Sequence, residues 1–255
     1  MQTKAKINSN KRLSGNYWHL EFESSLIAKQ AIAGQFINIR MTDGAVPLLR
    51  RPISIHGVKA AKVKIIYETL GKGTQILSVR KPGELLDIIG PLGNGFNYPR
   101  LVKPRETKNI LVAGGIGVAP LVFLAEKLKL SKPLVLIGAR TKKHVLCLQE
   151  FKALGCTVKL ATDDGSVGFK GRVTDLLKII LEQVKLAQVF SCGPHPMLKA
   201  VAEITRDYKI NAQLSLEEHM ACGIGACLGC VVATKAGYKT VCKDGPVFSS
   251  EDLVW

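Results

Sequence analysis

The chain has 255 residues, of which 47% are hydrophobic and 22% are charged. This length exceeds one average domain and fits two plus a small addition, and the composition is that of a globular protein rather than a disordered one. The 36 basic residues outnumber the 20 acidic ones and give a formal net charge of +16. Nucleic-acid binding is still disfavoured, because the lysines are spread along the chain and aromatic residues make up only 6%. We attribute the charge to a general basic bias or to an acidic partner face.

The sequence carries no pattern typical of export or membrane insertion. It has no run of roughly eighteen or more apolar residues, and its beginning lacks the apolar stretch of a signal peptide. The odd number of cysteines, seven, favours a reducing compartment over a disulfide framework. We therefore expect a soluble, cytoplasmic protein.

Residues 1 to about 100 have the pattern of an all-β module. Three β-rich, partly alternating segments follow one another at short intervals, at Asn16–Glu23, Gly34–Arg40 and Ala61–Tyr67. Glycine, proline and aspartate turns separate them. This spacing predicts a small barrel or sandwich.

Two short motifs in this module could contact a phosphorylated ligand. The extended segment Leu48–Ile55, stiffened by Pro52, carries Arg51, which suits bidentate phosphate contact, and Ser54, which suits the polar edge of a ring. Further on, a glycine-rich turn predicts a helix from Gln75 capped by Thr74, so that Gly73 and Thr74 could hold an anion. Taken alone, the first motif is better explained by a solvated arginine, and the second is explained equally well by a simple helix cap.

The periodicity changes after a basic, proline-containing linker at residues 100–107. Asn109–Ala113 is a short buried strand, Gly114–Pro120 is a glycine turn, and Leu121–Leu130 is an amphipathic helix. This order is typical of the first βα unit of a dinucleotide-binding fold, in which glycines let the backbone approach a pyrophosphate at the helix N-terminus. The glycines concerned are Gly114, Gly115 and Gly117. A βα turn without a ligand is the alternative.

Three further apolar strands, at Pro133–Arg140, Val158–Ala161 and Ala187–Cys192, alternate with helical segments. With Asn109–Ala113 they predict a four-stranded parallel sheet. Cys192 ends one of these strands, so its thiol is expected near a bound nicotinamide, although a buried, purely structural cysteine is the alternative.

Four cysteines near the C-terminus form the strongest motif of the chain. Cys222, Cys227, Cys230 and Cys242 have the C-x4-C-x2-C…C order of ligands to a plant-type [2Fe–2S] cluster. We expect Gly223, Gly225 and Gly229 to take positive φ angles, so that the backbone turns around the metal. Zinc and disulfides are weaker alternatives, since a zinc site usually has two short cysteine pairs. The segment has too little core to fold alone.

Taken in order, the Arg51–Ser54, Gly73–Thr74, Gly114–Pro120 and Cys192–Pro194 motifs and the terminal cysteines resemble the ferredoxin–NADP reductase superfamily. Within it the chain is similar to the electron-transfer subunits of type B dihydroorotate dehydrogenase. The resemblance implies an FAD-binding β-barrel at residues 1–100, an α/β NAD-binding domain at 101–211 and a [2Fe–2S] segment at 212–255. It assigns to the flavin the residues Arg51, Pro52, Ile53, Ser54, Tyr67, Glu68, Thr69, Gly73 and Thr74, and to the cluster the four cysteines above.

The resemblance also implies a function. Hydride would pass between NAD(H) and FAD, and single electrons would pass through the cluster to the FMN of a separate dihydroorotate dehydrogenase catalytic subunit, in a heterotetramer of two of each. Sister oxidoreductases, namely an NADH-dependent ferredoxin:NADP oxidoreductase, a sulfide dehydrogenase or a hydrogenase, are alternatives, as is a zinc-bearing regulatory protein. The choice between NADH and NADPH stays open, because Asp163 and Asp164 would repel a 2′-phosphate that Arg140 could attract.

Overall fold

The computed structural model of the protein describes residues 1–98, 107–184 and 186–255. The expected boundary between residues 100 and 101, and the linker except for its last residue, lie outside these ranges. None of the helices within the described ranges has both the length and the apolar character needed to cross a membrane.

The N-terminal part forms a closed six-stranded barrel with the order β1-β2-β5-β4-β3-β6. All neighbouring strands pair antiparallel, and the pairing of β1 with β6 closes the ring. Inward-facing side chains such as Ile7, Leu20, Phe22 and Ile65 are almost completely buried, and their removal from water stabilises the barrel. The elements are β1 (Gln2–Ser14), β2 (Tyr17–Glu23), α1 (Ser25–Gln30), β3 (Phe36–Arg40), β4 (Arg51–Lys59), β5 (Lys62–Glu68), α2 (Lys72–Ser78) and β6 (Leu85–Leu92).

The remaining described residues form a seven-stranded sheet with the order β10-β9-β8-β7-β11-β12-β15 and a separate β13-β14 hairpin. The sheet is parallel except for β15, which pairs antiparallel with β12. Its strands are β7 (Lys108–Gly114), β8 (Leu134–Ala139), β9 (Thr157–Thr162), β10 (Phe169–Lys170), β11 (Ala187–Cys192), β12 (Ala212–Ser215) and β15 (Val247–Ser249). The helices are α3 (Val118–Leu128), α4 (Leu148–Ala153), α5 (Val173–Leu181) and α6 (His195–Asp207), and the hairpin is β13 (Val231–Thr234) and β14 (Gly237–Thr240).

Two local predictions need correction. The sheet has seven strands rather than four, because β10 is too short to show a period and β12 and β15 come from the cysteine-rich segment. The helix expected from Gln75 begins at Lys72, since Gly71 is its N-cap. Thr74 lies in the first turn of the helix, where its hydroxyl accepts a hydrogen bond from the Leu70 amide at 3.1 Å.

Strand β7 is the point at which the sheet changes direction. From β7 the chain builds β8, β9 and β10 on one side and returns to add β11 and β12 on the other. In open α/β sheets, ligands bind beyond the carboxyl ends of the strands at such a switch point. The carboxyl ends of β7 and β11 therefore mark the expected nucleotide site.

The barrel, the sheet and the cysteine-rich segment pack directly against one another. The Phe96 ring, just after the barrel, contacts the Phe190 ring of β11 edge-on at a centroid distance of 5.7 Å. The Asn94 side chain donates to the carbonyls of Lys243 and Asp244 at 3.1 and 3.0 Å. These contacts fix the cysteine-rich segment between the two larger units.

Candidate functional site

A cavity of about 520 Å³ lies between the barrel and the start of the cysteine-rich segment. This volume is in the range typical of small-molecule sites. The barrel contributes the beginning of β4 and the end of β5, and the other wall is built by Ile116, Ala119 and the stretch that follows β12. Of the residues predicted to contact a flavin, those that line the cavity are Arg51, Pro52, Ile53, Ser54, Tyr67, Glu68 and Thr74.

Thr69 and Gly73 do not line this cavity. The Thr69 hydroxyl donates to the Asn16 carbonyl at 3.1 Å. Gly73 is buried beneath Arg51, where an added Cβ would lie 3.0 Å from the guanidinium Nε. Gly73 therefore leaves room for the arginine that faces the cavity, and its expected direct contact with a flavin phosphate stays a prediction.

Tyr67 forms a fixed wall of the cavity. Its hydroxyl donates to Asn10 Oδ1 at 2.9 Å, and its ring stacks on Trp18 at 6.5 Å between centroids. Burial raises the pKa of the Tyr67 hydroxyl well above its usual value, although the hydrogen bond with Asn10 works in the opposite direction. The Tyr67 ring is thus held neutral and rigid, as a surface for a planar ligand requires.

A second cleft, of about 1010 Å³, opens at the carboxyl ends of β7, β8, β9 and β11. Gly114 and Gly115 line it after β7, and Gly193 and Pro194 line it after β11. Gly115 has φ +53, and a Cβ there would meet no atom within 4 Å, so the backbone is open to a ligand. This is the expected dinucleotide site at the switch point of the sheet.

The charged side chains of this cleft bear on the choice of nucleotide. Arg140, Arg172 and Asp163 line it, whereas Asp164 is engaged by the Ser166 hydroxyl at 2.7 Å. The cleft thus holds both cationic and anionic side chains near the ends of β8 and β9. The choice between NADH and NADPH therefore stays open.

Gly117 and Cys192 lie side by side beneath the cleft rather than in its wall. A Cβ on Gly117 would lie 2.2 Å from the Cys192 carbonyl oxygen, so this glycine permits close packing of α3 on β11. The Cys192 thiol is 1% exposed, and burial followed by the Glu217 carboxylate raises its pKa. The proposed contact of Cys192 with a nicotinamide stays a prediction.

The two cavities adjoin. Glu68, Leu70, Ile116 and Glu217 line both of them, so ligands in the cavity and the cleft would lie next to each other. Glu217 is exposed on the surface that the cavity and the cleft share. Desolvation by the surrounding protein nevertheless raises the pKa of its carboxyl, and the Glu68 carboxylate adds to this effect.

The four predicted cluster ligands converge, three of them from the loop before β13 and Cys242 from just after β14. Backbone amides surround their sulfurs: Gly225 donates to Cys242 Sγ at 3.1 Å, and Ile224 and Ala226 donate to Cys222 Sγ at 3.4 and 3.3 Å. Gly223 and Gly225 have positive φ angles of 71 and 83° as expected. The prediction for Gly229 was wrong, because its neighbour Leu228 takes the positive φ of 55° instead.

The sulfurs group in two pairs. Cys222 interacts most closely with Cys227 and Cys242 with Cys230, whose sulfur also accepts the Cys242 amide at 3.4 Å, and a weaker electrostatic interaction joins Cys242 to Cys222. No three of these sulfurs, all of which belong to the described part of the chain, lie within 4.8 Å of one another, as a single tetrahedral ion would require. Two pairs of thiolates suit two irons, so the arrangement fits a [2Fe–2S] cluster better than zinc.

The pKa values of the cysteines agree with a cationic occupant. Burial raises the pKa of Cys222, but the amides around it outweigh burial and bring the value down to about 6. At Cys242, burial and then the neighbouring Cys230 raise the pKa to about 12. Two adjacent thiolates are unfavourable without a metal, and iron would supply the charge that they need.

The loop is anchored to the flavin side of the barrel by Asn38. This β3 residue is completely buried, donates to the Cys222 carbonyl at 3.3 Å and pairs with Pro52 of the neighbouring strand β4. Asn38 therefore connects the strand that lines the cavity with the first predicted cluster ligand.

Sequence reasoning missed several residues that line the site. Glu217, Met220 and Ile116 contribute no recognisable motif of their own, although Met220 stands just before the first cysteine and Ile116 stands within the glycine turn. Met220 and Ile116 could have been located from the motif residues next to them in the sequence.

Comparisons with known proteins agree with this geometry. The model for the iron–sulfur cluster binding domain of dihydroorotate dehydrogenase B matches residues 217–254, and the oxidoreductase NAD-binding domain matches residues 111–203. A relative from Desulforamulus reducens, named dihydroorotate dehydrogenase B (NAD(+)), electron transfer subunit, is 41% identical and covers 98% of this chain and 97% of its own. A protein of the same name from Geobacillus kaustophilus is 40% identical and covers 97% of this chain and 96% of its own.

Solved structures share this architecture over most or nearly all of the chain. A chain of the NADH-dependent reduced ferredoxin–NADP oxidoreductase matches with a TM-score of 0.87 and 29% identity, covering 98% of this chain and 90% of that one. The ferredoxin NADP+ reductase of Neisseria gonorrhoeae has the same fold, with a TM-score of 0.68 at 17% identity over 81% of this chain and 91% of that one.

The barrel, the switch-point cleft and the four-cysteine loop define an oxidoreductase of the ferredoxin–NADP reductase fold with an iron–sulfur extension. More narrowly, the chain belongs to the family of electron transfer subunits of dihydroorotate dehydrogenase B (NAD(+)). The predicted family, fold class, oxidoreductase function and cofactor set are confirmed. The sister oxidoreductases are less supported, since the similarity to relatives of this name is higher.

Proposed function

We propose that this chain passes electrons between the FMN of a separate catalytic subunit and NAD+, through a [2Fe–2S] cluster and FAD. The overall reaction would be the oxidation of dihydroorotate to orotate in pyrimidine biosynthesis, carried out in the cytoplasm by a heterotetramer of two of each subunit. The names of the relatives support a partner catalytic subunit. All seven cysteines, each in the described ranges, are free thiols, which suits a reducing compartment.

The observation that carries the proposal is the order of the three sites. The flavin-sized cavity lies between the nucleotide cleft, with which it shares Glu68 and Glu217, and the cluster loop, which His219 and Met220 join to its wall. A bound flavin supplies the exchange between a two-electron hydride and single electrons. The central position of the cavity is the one that such an exchange requires.

The side chains of the chain would bind and orient the cofactors. Arg51 and Thr74, which line the cavity, suit the pyrophosphate, while Ser54 can hydrogen-bond to the polar edge of the flavin ring. The open backbone at Gly115, next to Gly114 in the cleft wall, would receive the pyrophosphate of the nucleotide. No acid or base is needed on this chain for hydride transfer.

The outer side of the cluster loop is suited to a protein partner. Cys227 is exposed, and the apolar side chains of Ile224 and Leu228 beside it are 54% and 63% exposed. Apolar surface next to a redox centre favours docking of the catalytic subunit there. Electrons could then cross without travelling through water.

Replacement of one inner ligand tests the proposal. We expect Cys230→Ser, co-expressed with the catalytic subunit, to lose iron while keeping FAD, because the cavity is built by other residues. NADH-driven reduction of a small two-electron acceptor should persist, whereas dihydroorotate-dependent reduction of NAD+ should fall at least 100-fold (about 2.7 kcal/mol or more).

Cys156→Ser is the matched control, because this thiol lies outside the loop. It should keep iron, flavin and both activities. If Cys230→Ser lost its iron and still transferred electrons from dihydroorotate at the wild-type rate, the relay role of the cluster would be wrong.

A further inference from the structure

A second group of metal-ligand side chains lies away from the cysteine loop, at the contact between the barrel and the sheet domain. Three residues each offer one ligand atom, and these atoms lie within 4.8 Å of one another: His56 of β4, Cys147 just before α4, and Glu150 of α4. No other group of three was found within the described residues. The set combines nitrogen, sulfur and oxygen donors from both structural units.

His56 is held in an orientation suited to a ligand. Its ring is 2% exposed, with Nδ1 lying 3.0 Å from the Ala119 carbonyl and Nε2 lying 2.7 Å from Glu150 Oε2. A carbonyl can only accept, so Nδ1 carries the proton. Nε2 therefore faces a carboxylate oxygen, and a cation must lie between them, either as a proton or as a metal ion. A backbone carbonyl behind Nδ1 is the usual support of a metal-binding histidine.

Cys147 occupies a backbone position that disfavours its residue type. Its φ angle is 57°, in the left-handed region, where glycine would be more favourable. The Cys147 carbonyl accepts the first hydrogen bond of α4, from the Phe151 amide at 3.0 Å, whereas the cysteine side chain makes no cap hydrogen bond to the helix. The conformation also brings Cys147 Sγ next to the ligand atoms of His56 and Glu150. The thiol is therefore the part of residue 147 that is used here.

The group is accessible to a metal ion and to water. The Glu150 side chain is 48% exposed, which leaves an entry path and a place for a water ligand. The His19 ring lies edge-on to His56 at 6.0 Å between centroids and completes the polar surroundings. An open fourth position beside three protein ligands is common in zinc sites.

We propose that His56 Nε2, Cys147 Sγ and a Glu150 oxygen bind one Zn²⁺ ion, with water as the fourth ligand. The mixed donor set is one that zinc prefers, and the charges of thiolate, carboxylate and Zn²⁺ sum to zero, which suits a half-buried place. On binding, the protons on Cys147 Sγ and His56 Nε2 pass to solvent and no bond to carbon changes. The N–O contact would open to about 3.3 Å, the separation that two bonds of about 2.0 Å give at a tetrahedral angle.

The ion would join the two units that hold the redox cofactors. His56 follows the Arg51–Ser54 segment in β4, whereas Cys147 and Glu150 belong to the sheet domain. A zinc bridge would fix the angle between the flavin cavity and the nucleotide cleft. The site does not depend on the proposed function, since none of its residues lines the cavity or the cleft.

The test uses the full-length protein with its cluster loaded, incubated with ZnCl₂ and desalted. Metal analysis should give one zinc per chain in addition to the iron. X-ray absorption at the zinc edge should show one sulfur ligand at about 2.3 Å and three nitrogen or oxygen ligands. Zinc bound by four sulfurs would instead be zinc in the cluster loop and would overturn the proposal.

Cys147→Gly is the decisive variant, because glycine relieves the left-handed strain and folding is therefore expected to be retained. It should bind less than a tenth of the wild-type zinc with unchanged iron, and Glu150→Gln should also lower the zinc content. Cys156→Ala, a matched loss of one thiol outside both groups, should keep the full equivalent. Equal zinc in Cys147→Gly and the wild type, or no zinc in either, would show that His56 and Glu150 form only a hydrogen-bonded pair.

Discussion

At the scale of single residues, backbone conformation decides whether the cluster loop can form. Gly223 has φ +71, and an added Cβ would lie 2.4 Å from Asn38 Nδ2, the group that holds the Cys222 carbonyl. Gly229 has an ordinary φ, and its nearest neighbour, Cys227 Sγ, would lie 3.6 Å from an added Cβ. The two glycines therefore have different roles although both stand between cluster ligands.

This difference gives a matched pair of variants. We expect Gly223→Ala to lose most of its iron, because the side chain both strains the backbone and displaces Asn38, at a combined cost of about 2 kcal/mol or more. Gly229→Ala should keep its iron, because we expect this substitution to change the stability of the protein by no more than about 0.5 kcal/mol. Iron content and the visible spectrum after anaerobic purification measure both. Equal iron retention in the two variants would show that Asn38 does not determine the shape of the loop.

The grouping of the four cysteines could be predicted from their spacing alone, but the position of positive φ could not. A residue such as Leu228 adopts the left-handed region only because the surrounding loop forces it to, and that constraint arises from contacts made after folding. For the same reason Asn38, an ordinary strand residue in sequence, shows its contact with Cys222 only in the structure.

At the scale of elements, the apolar strands of the sheet and the helices between them could be predicted because burial gives them a period. β1 could not, since its thirteen residues bury only Ala5 and Ile7 completely and otherwise read as a lysine-rich polar segment. β12 and β15 could not be predicted for another reason. They are only four and three residues long, and they form strands because they pair with the rest of the sheet.

The close approach of α3 to β11 gives a prediction at this scale. Gly117→Ala would place a Cβ 2.2 Å from the Cys192 carbonyl oxygen. This clash can be relieved only if α3 or β11 moves. We expect a loss of about 1 to 3 kcal/mol in unfolding free energy, seen as a lower thermal midpoint of the cofactor-loaded protein. Nucleotide affinity should fall as well, because the glycine turn moves with the helix.

Gly57→Ala is the control for this variant, since an added Cβ there meets nothing within 4 Å and φ is not positive. Its midpoint should match or slightly exceed that of the wild type, as the alanine restricts the unfolded chain. A Gly117→Ala protein as stable as this control would mean that helix and strand lie farther apart than the structure places them.

At the scale of the whole molecule, the sequence predicted three units in the right order but not how they meet. Motifs at Arg51, Gly114 and Cys222 are far apart along the chain, and their adjacency depends on non-local packing by residues such as Asn94 and Phe96. The structure brings the cleft and the cavity together through shared walls, and the stretch that leads into the cysteine loop lines the cavity through His219 and Met220. This order is the physical basis of the proposed electron path.

An anaerobic absorbance experiment on the protein co-expressed with its catalytic subunit tests that path most directly. Dihydroorotate is added first, and NAD+ is added after the flavin and iron–sulfur bands have been recorded. We predict that the bands bleach with dihydroorotate and recover with NAD+, because electrons enter at the partner and leave at the nucleotide cleft. A coloured protein inert to dihydroorotate, or a colourless one that contains zinc in place of iron, would contradict the account.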